Sequence, residues 1–144
     1  MNAIKLVTVF GENRLGWMAR ITRALADAGV NIRWVTIATS GAFGVIKLLV
    51  DKSDDAVRAL QQQGFPVSLL DVLAVEVADK PGALHAITEL LAKQRINVEN
   101  SSGFVTQTHK KAVLLLEVTD LDHARESLAK HGLHLLSQEE VLVI

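Results

Sequence analysis

The chain has 144 residues, of which 49% are hydrophobic but 4% are aromatic, so a core must consist mostly of Leu, Val, Ile and Ala. Its 15 basic and 16 acidic residues give a net charge of -1, which argues against nucleic acid or an anionic membrane as a partner. Cysteine is absent, which excludes disulfides and thiolate metal sites. No apolar run approaches the roughly 20 residues that span a bilayer, and the N-terminus shows no signal core, so we expect a cytoplasmic protein.

The first half of the chain predicts six elements in the order strand, helix, strand, strand, helix, strand. Residues rich in β-formers predict a strand over 4–10. Apolar residues at three- and four-residue spacing predict a helix over 17–28 that ends at Gly29. The remaining elements are strands over 30–39, 45–51 and 65–70 and a helix over 54–63.

The second half repeats this order, with strands over 72–77, 96–106, 112–118 and 141–144 and helices over 83–94 and 122–131. Gly82 lies 66 residues after Gly16, and the same shift pairs Asn31 with Asn97. After the hairpin the shift becomes 68, because loops tolerate added residues. We interpret the pattern as an internal duplication of two modules, 1–70 and 71–144. Each is predicted to form an antiparallel sheet with two helices on one face.

A turn precedes the first helix of each module. In the second module its sequence is Asp-Lys-Pro-Gly-Ala-Leu, residues 79–84. Asp79 or Lys80 is predicted to cap the helix, with Pro81 in the first turn, where its missing N–H costs nothing. The unpaired N–H groups and the helix dipole favour a carboxylate or phosphate there. A purely structural interpretation, in which Pro-Gly only starts the helix, stands beside the functional one.

Residues 79–84, the helix after them and residues 96–98 resemble the ACT-domain family. The first module carries a changed form of the same motif in residues 12–16 and 30–32. The resemblance covers essentially the whole chain and implies an α+β protein of two ferredoxin-like βαββαβ modules. It also implies a protein that binds small molecules, most often amino acids, and regulates an attached or associated enzyme without being an enzyme itself.

The resemblance further implies where a ligand would bind. In the family, ligands lie between two modules, the turn supplies backbone N–H groups, and the Asn after the helix supplies a side chain. The matching residues are Asp79, Pro81, Gly82, Ala83, Leu84, Asn97 and Val98 in the second module and Asn13, Leu15, Gly16, Trp17, Asn31 and Ile32 in the first. An amino acid fits this set, because its carboxylate suits a helix start and its ammonium suits Asn oxygens.

The two modules differ at these positions. Leu15 replaces the proline of the motif, and Trp17 stands where the second module has Ala83. The indole either walls the site, fills it or stacks on a ligand, so the first site is either inactive or adapted to another molecule. Asn31 and Asn97 also have a structural interpretation, since Asn tolerates a left-handed turn. Gly29 already meets that need in the first module, whereas Arg95 is not expected to do so in the second.

Five histidines raise the question of a metal site. His131 and His134 straddle a glycine, and no carboxylate completes a recognisable ligand set, so we expect no metal and no cofactor. His85 follows the proposed anion site and, when protonated, would help to hold a carboxylate. Glu139 and Glu140 form an adjacent pair of carboxylates, but adjacent residues on a strand face opposite ways. The sequence therefore offers little support for catalysis.

Three interpretations of function remain. The favoured one is an amino-acid-binding regulatory protein. The first alternative is a ligand-free interaction protein, which is either a dimerisation module or a regulatory subunit of an amino-acid biosynthetic enzyme. The second alternative is an enzyme built on the same fold. Unpaired sheet edges favour a homodimer, and a metabolic enzyme is a further expected partner. We expect a small or branched apolar amino acid as the ligand.

Overall fold

A computed structural model describes residues 3–144. The chain divides into two compact units, which we call the first module, Lys5–Leu70, and the second module, Asp71–Ile144 together with Ile4. The elements are β1 Ile4–Glu12, α1 Trp17–Asp27, β2 Ile32–Ser40, β3 Phe43–Val50, α2 Ser53–Gln62, β4 Val67–Ala78, α3 Ala83–Lys93, β5 Val98–Gln107, β6 Lys111–Val118, α4 Leu121–Lys130, β7 Leu135–Leu136 and α5 Gln138–Leu142.

The first module places its strands in the order β2, β3, β1 and the beginning of β4. Strand β3 pairs antiparallel with both β1 and β2. Inward-facing residues of β1 and β3, including Val9 and Leu48, pack against Ile21 and Leu25 of α1 and Leu60 of α2. This is the predicted ferredoxin-like arrangement, because the apolar stripes of both helices can be buried only on one face of the sheet.

The second module repeats the arrangement with the order β7, β4, β6, β5. Strand β6 pairs antiparallel with β4 and β5, and β7 pairs antiparallel with β4. Ile87, Leu91 and Leu128 pack in its core, where the first module has Ile21, Leu25 and Leu60. These three pairs of matching residues are therefore core residues in both modules.

Strand β4 corrects the expectation of two strands over 65–70 and 72–77. It runs without interruption from Val67 to Ala78. Asp71, the residue between the two predicted strands, has no glycine or proline beside it, so nothing in the local sequence forces a turn there.

The C-terminus corrects a second expectation, a strand over 141–144. Residues Gln138–Leu142 form the short helix α5 instead. The Ser137 hydroxyl accepts a hydrogen bond from the Glu140 N–H at 3.2 Å, and the Glu140 carboxylate accepts one from the Ser137 N–H at 2.7 Å. This capping box satisfies both donors, and its Ser-x-x-Glu signature was present in the sequence. Glu139 and Glu140 therefore lie in the first turn of a helix.

The second residue after each long helix adopts a left-handed conformation, with φ of 70° at Gly29, 82° at Gly64 and 79° at Gly132. Arg95 takes the same role after α3 with φ of 58°. The expectation that Arg95 would not do so, leaving the turn to Asn97, was wrong. The residue after the C-cap must adopt a left-handed conformation whatever its side chain, since the chain reverses there to enter the next strand.

Candidate functional site

The turn before α3 is a type II turn. The Ala83 N–H donates to the Lys80 carbonyl at 3.2 Å, and Gly82 between them has φ of 86° and ψ of -13°. A type II turn requires positive φ at its third residue and favours Pro at its second, so Pro81 and Gly82 each occupy the position that their backbone suits.

The turn before α1 has the same geometry. The Trp17 N–H donates to the Arg14 carbonyl at 3.1 Å, and Gly16 has φ of 83° and ψ of -1°. Leu15, at the proline position of the turn, is fully exposed. The change from Pro to Leu therefore leaves the shape of the turn intact.

The N-cap of α3 differs from the prediction. Gly82 is the N-cap, Pro81 precedes the helix, and no side chain caps the helix start. The Gly82 carbonyl accepts the first helical hydrogen bond, from Ala86 at 3.0 Å. The N–H groups of Leu84 and His85 therefore have no side-chain acceptor, which is the state that favours an anion. Leu84 is 56% exposed, so the helix start faces solvent.

Asp79 does not cap the helix because its carboxylate is engaged elsewhere. It accepts a hydrogen bond at 2.6 Å from the N–H of His109, a residue with φ of 64° in the β5–β6 turn. The Asp79 N–H donates to the Lys110 carbonyl at 3.2 Å. Asp79 thus ties the helix-start turn to the neighbouring hairpin. At the matching position, the Asn13 N–H donates to the Ala42 carbonyl at 2.7 Å.

Trp17 fills space inside the first module. Its side chain is 3% exposed and belongs to the core. The ring lies over Gly11 of β1 and Gly44 of β3, which face each other in the strand register. A Cβ atom at Gly11 would lie 2.8 Å from the indole, and one at Gly44 would lie 2.7 Å from it. The two glycines therefore provide a flat surface that only the absence of side chains makes possible.

The Asn residues predicted to share a ligand with the turns lie at the far ends of the helices. The 11 residues of α3 span about 16 Å, with Gly82 before the start of the helix and Asn97 beyond its end. The Asn97 side chain donates a long bond, 3.4 Å, to the Thr119 hydroxyl, and its carbonyl accepts from the Thr119 N–H at 3.3 Å. The equivalent Asn31 N–H donates to Asp51 at 2.9 Å. Within one module the structure therefore does not bring the turn and the Asn together.

Val98 and Ile32, the residues predicted to bind beside these Asn residues, begin β5 and β2. Val98 is 36% exposed, whereas Ile32 is half-buried against the first core. Only Val98 therefore presents a large apolar surface at this end of its module.

A cavity of about 270 Å³ beside the first turn was not predicted. Its lining includes Trp17, Arg14, Arg20 and Phe65. The Arg20 guanidinium lies over the Phe65 ring, 5.3 Å from its centroid. Arg20 also borders a groove of about 540 Å³ between α1 and α2. No local sequence pattern indicates this cavity, because its lining joins residues from the beginning and the end of the first module's sequence.

The ionisable groups near the second turn are exposed. The His85 imidazole lies 4.0 Å from the Glu89 carboxylate, one helical turn along α3. Within residues 3–144, no three His, Cys, Asp or Glu side chains are grouped to hold a metal ion. Over the same residues, no helix is long and apolar enough to cross a bilayer.

Residues 2–144 match the family model described as an ACT domain pair. The chain belongs to the ACT domain pair family. This confirms the resemblance seen in the sequence, and the ferredoxin-like modules confirm the predicted fold class. Membership supports a regulatory, ligand-binding role.

Solved structures share this fold. Protein BT0572 from Bacteroides thetaiotaomicron is 25% identical, with each chain covered completely and a TM-score of 0.91. The ligand-free regulatory subunit of aspartate kinase from Thermus thermophilus is 16% identical, with 89% of this ACT domain pair and 91% of that chain covered and a TM-score of 0.61. The Thermus flavus counterpart is 15% identical over 88% and 90% of the chains, with a TM-score of 0.59. No curated protein matches the sequence.

Proposed function

We propose that this ACT domain pair is a regulatory protein that binds an amino acid at the start of α3. The observation that supports the proposal most directly is the uncapped helix start at Gly82. At the starts of α4 and α5, by contrast, the side chains of Asp120 and Ser137 accept hydrogen bonds from such N–H groups. A ligand carboxylate placed there would accept charge-assisted hydrogen bonds, each about 1.5–3 kcal/mol.

The ammonium group of the ligand needs an acceptor that the turn lacks. Asn97 is exposed, and its side chain is engaged by one long hydrogen bond, so its amide oxygen is available to a ligand. Because α3, which is about 16 Å long, lies between Asn97 and the turn of its own module, we propose that each ligand combines the turn of one module with the Asn of another. The module that contributes the Asn belongs either to the same chain or to a second copy of the chain.

The proposed partners follow from this role. The regulatory subunits of aspartate kinase share the fold, although their low identity carries no information about a ligand. We propose that the protein works in the cytoplasm as a homodimer, either alone or as the regulatory subunit of an amino-acid biosynthetic enzyme, and that it has no catalytic activity. We also propose that residues 1–70 and 71–144 are the two duplicated modules.

Isothermal titration calorimetry against the twenty amino acids tests the proposal. We expect saturable binding of at least one of them, with at least a tenfold loss of affinity in Gly82→Val. Gly16→Val is the matched control, because both glycines have nearly the same positive φ and no atom within 4 Å of an added Cβ. The backbone strain is then equal in the two variants, and a difference in binding reports the site. Absence of heat with all twenty would refute amino-acid sensing.

A second candidate function is a ligand-free interaction module. It is favoured by two exposed aromatic side chains of the first module, Phe10 at 45% and Phe43 at 70% exposure. They line an apolar groove of about 310 Å³ at the end of the β2–β3 hairpin. Under this alternative, Phe43→Ser would abolish self-association measured by light scattering, whereas Gly82→Val would leave it unchanged.

A further inference from the structure

The buried indole of Trp17 carries a hydrogen-bond donor without an acceptor. Its side chain is 3% exposed, yet no atom of residues 3–144 accepts a hydrogen bond from its Nε1–H. A buried tryptophan N–H usually has an acceptor, so an unpaired one needs an explanation.

The nitrogen edge of the indole lies on the side of the cavity beside the first turn. Nε1 is among the three atoms nearest to a Cβ added at Gly11, whereas atoms of the benzene edge are nearest to one added at Gly44. Gly11 and Trp17 line the cavity of about 270 Å³, and Gly44 is absent from its lining. The unpaired N–H therefore belongs to the edge of the ring that borders the cavity.

Arg20 brings a positive charge to the same cavity. Its guanidinium lies over the Phe65 ring, 5.3 Å from the centroid, and both residues line the cavity together with Trp17. The aromatic ring holds one face of the guanidinium, but no carboxylate of residues 3–144 forms an ion pair with it. The planar N–H donors of Arg20 are therefore available to an anion.

The other charged residues of the lining neutralise each other. Arg14 and Glu12 form an ion pair, so the unpaired charge at the cavity is that of Arg20. Gln63 is the remaining polar side chain of the lining, and its amide offers both donors and an acceptor. Among the described residues around the cavity, a donor and a cation are unpaired but no carboxylate is, which suits an anion.

The second module does not repeat these groups. At the three matching positions it has aliphatic side chains, which are Ala83, Ala86 and Leu133 in place of Trp17, Arg20 and Phe65. It forms the same arrangement of sheet and helices without them. The fold itself therefore does not require a donor and a cation at this place.

We infer that the cavity beside the first turn binds a small anion, which accepts hydrogen bonds from the Trp17 Nε1–H and the Arg20 guanidinium. The anionic group is a carboxylate or a phosphate, because both match the donor geometry of arginine. A volume of about 270 Å³ is the liquid volume of roughly nine water molecules, so the ligand is a small ion or metabolite. The site is separate from the proposed amino-acid site at the start of α3 and independent of it.

Heteronuclear NMR of wild type follows the indole N–H directly. The chain has two tryptophans, and Trp34 does not line the cavity, so its indole resonance is an internal control. Trp34→Phe assigns the two resonances. At constant ionic strength, we expect the Trp17 resonance to shift and saturate in the millimolar range with inorganic phosphate, succinate or both, while that of Trp34 stays in place.

The two ions distinguish the possible sources of the anionic group. Saturation with phosphate alone would identify a phosphate ligand, saturation with succinate alone a carboxylate ligand, and saturation with both a site for either group. No saturable shift of the Trp17 resonance with either ion would overturn the inference.

A matched pair of variants tests the role of Arg20. Arg20→Gln and Arg23→Gln each remove one positive charge from α1, but Arg23 pairs with Asp27 and is absent from the lining of this cavity. We expect Arg20→Gln to weaken anion binding by about tenfold or more, and Arg23→Gln to leave it nearly unchanged. Equal losses in the two variants would overturn the inference, because net charge alone would then explain the binding.

Two further variants test the donor and the independence of the site. Trp17→Phe keeps an aromatic ring without the N–H, and calorimetry should show weaker anion binding; undiminished binding by the folded variant would overturn the role of the N–H. Gly82→Val should leave anion binding unchanged, because it acts at the start of α3. Loss of amino-acid binding and loss of anion binding are therefore separate results.

Discussion

The contact between Trp17 and Gly11 makes a quantitative prediction about stability. Gly11→Ala would place a methyl group 2.8 Å from the indole, whereas carbon atoms in contact prefer 3.5–4.0 Å. The ring would have to move by about 1 Å, yet it is buried and also lies on Gly44. Overpacking of this kind costs about 1–3 kcal/mol, so we expect Gly11→Ala to destabilise the first module by that amount.

The sign of the effect should reverse when the ring is removed. In a Trp17→Ala background the three atoms nearest to the new methyl group are gone, and Ala is better than Gly in a strand by about 0.5–1 kcal/mol. Gly11→Ala should then be neutral or stabilising. The assay is urea unfolding of wild type, both single variants and the double variant, followed by circular dichroism. An equal cost of Gly11→Ala in both backgrounds would show that the indole does not exclude a side chain there.

Three further predictions concern the turns and helix ends. Arg95→Gly should stabilise the protein by about 0.5–1 kcal/mol in urea unfolding, because glycine relieves left-handed strain; a lower unfolding midpoint would contradict this. Asp79→Ala should cost about 1–2 kcal/mol and speed amide exchange in the β5–β6 turn, whereas Asp79→Asn keeps an acceptor and should cost less. The N–H of Ser137 lowers the pKa of Glu140 below its ordinary 4.5. A lowered folded-state pKa stabilises α5 at neutral pH, and that contribution is lost as the pH falls through it. NMR titration of Glu140 should show the shift, and Ser137→Ala should leave most of it in place, because alanine keeps the backbone N–H.

Much of the fold could be predicted from the sequence because its causes are local. Both modules and their fold class follow from three patterns in the sequence: apolar spacing of 3.6 residues, glycines after the helices and a repeated strand-helix-strand order. Pro81 and Gly82 indicated a turn for the same reason, since each restricts its own backbone. The wrong prediction of a strand over 141–144 also has a local cause, because Ser137 and Glu140 carry the capping-box signature of a helix start.

Other features required the tertiary structure. Gly11 and Gly44 are 33 positions apart in the sequence, and neither indicates that Trp17 lies across both. Asp79 resembles a helix cap, but its carboxylate binds the turn at His109, 30 residues later. These features depend on which side chains meet after the strands pair, and a side chain's partner is fixed by strand register and packing. Local sequence therefore determined the elements and the turns, whereas pairing between distant residues decided where the side chains of Trp17 and Asp79 lie.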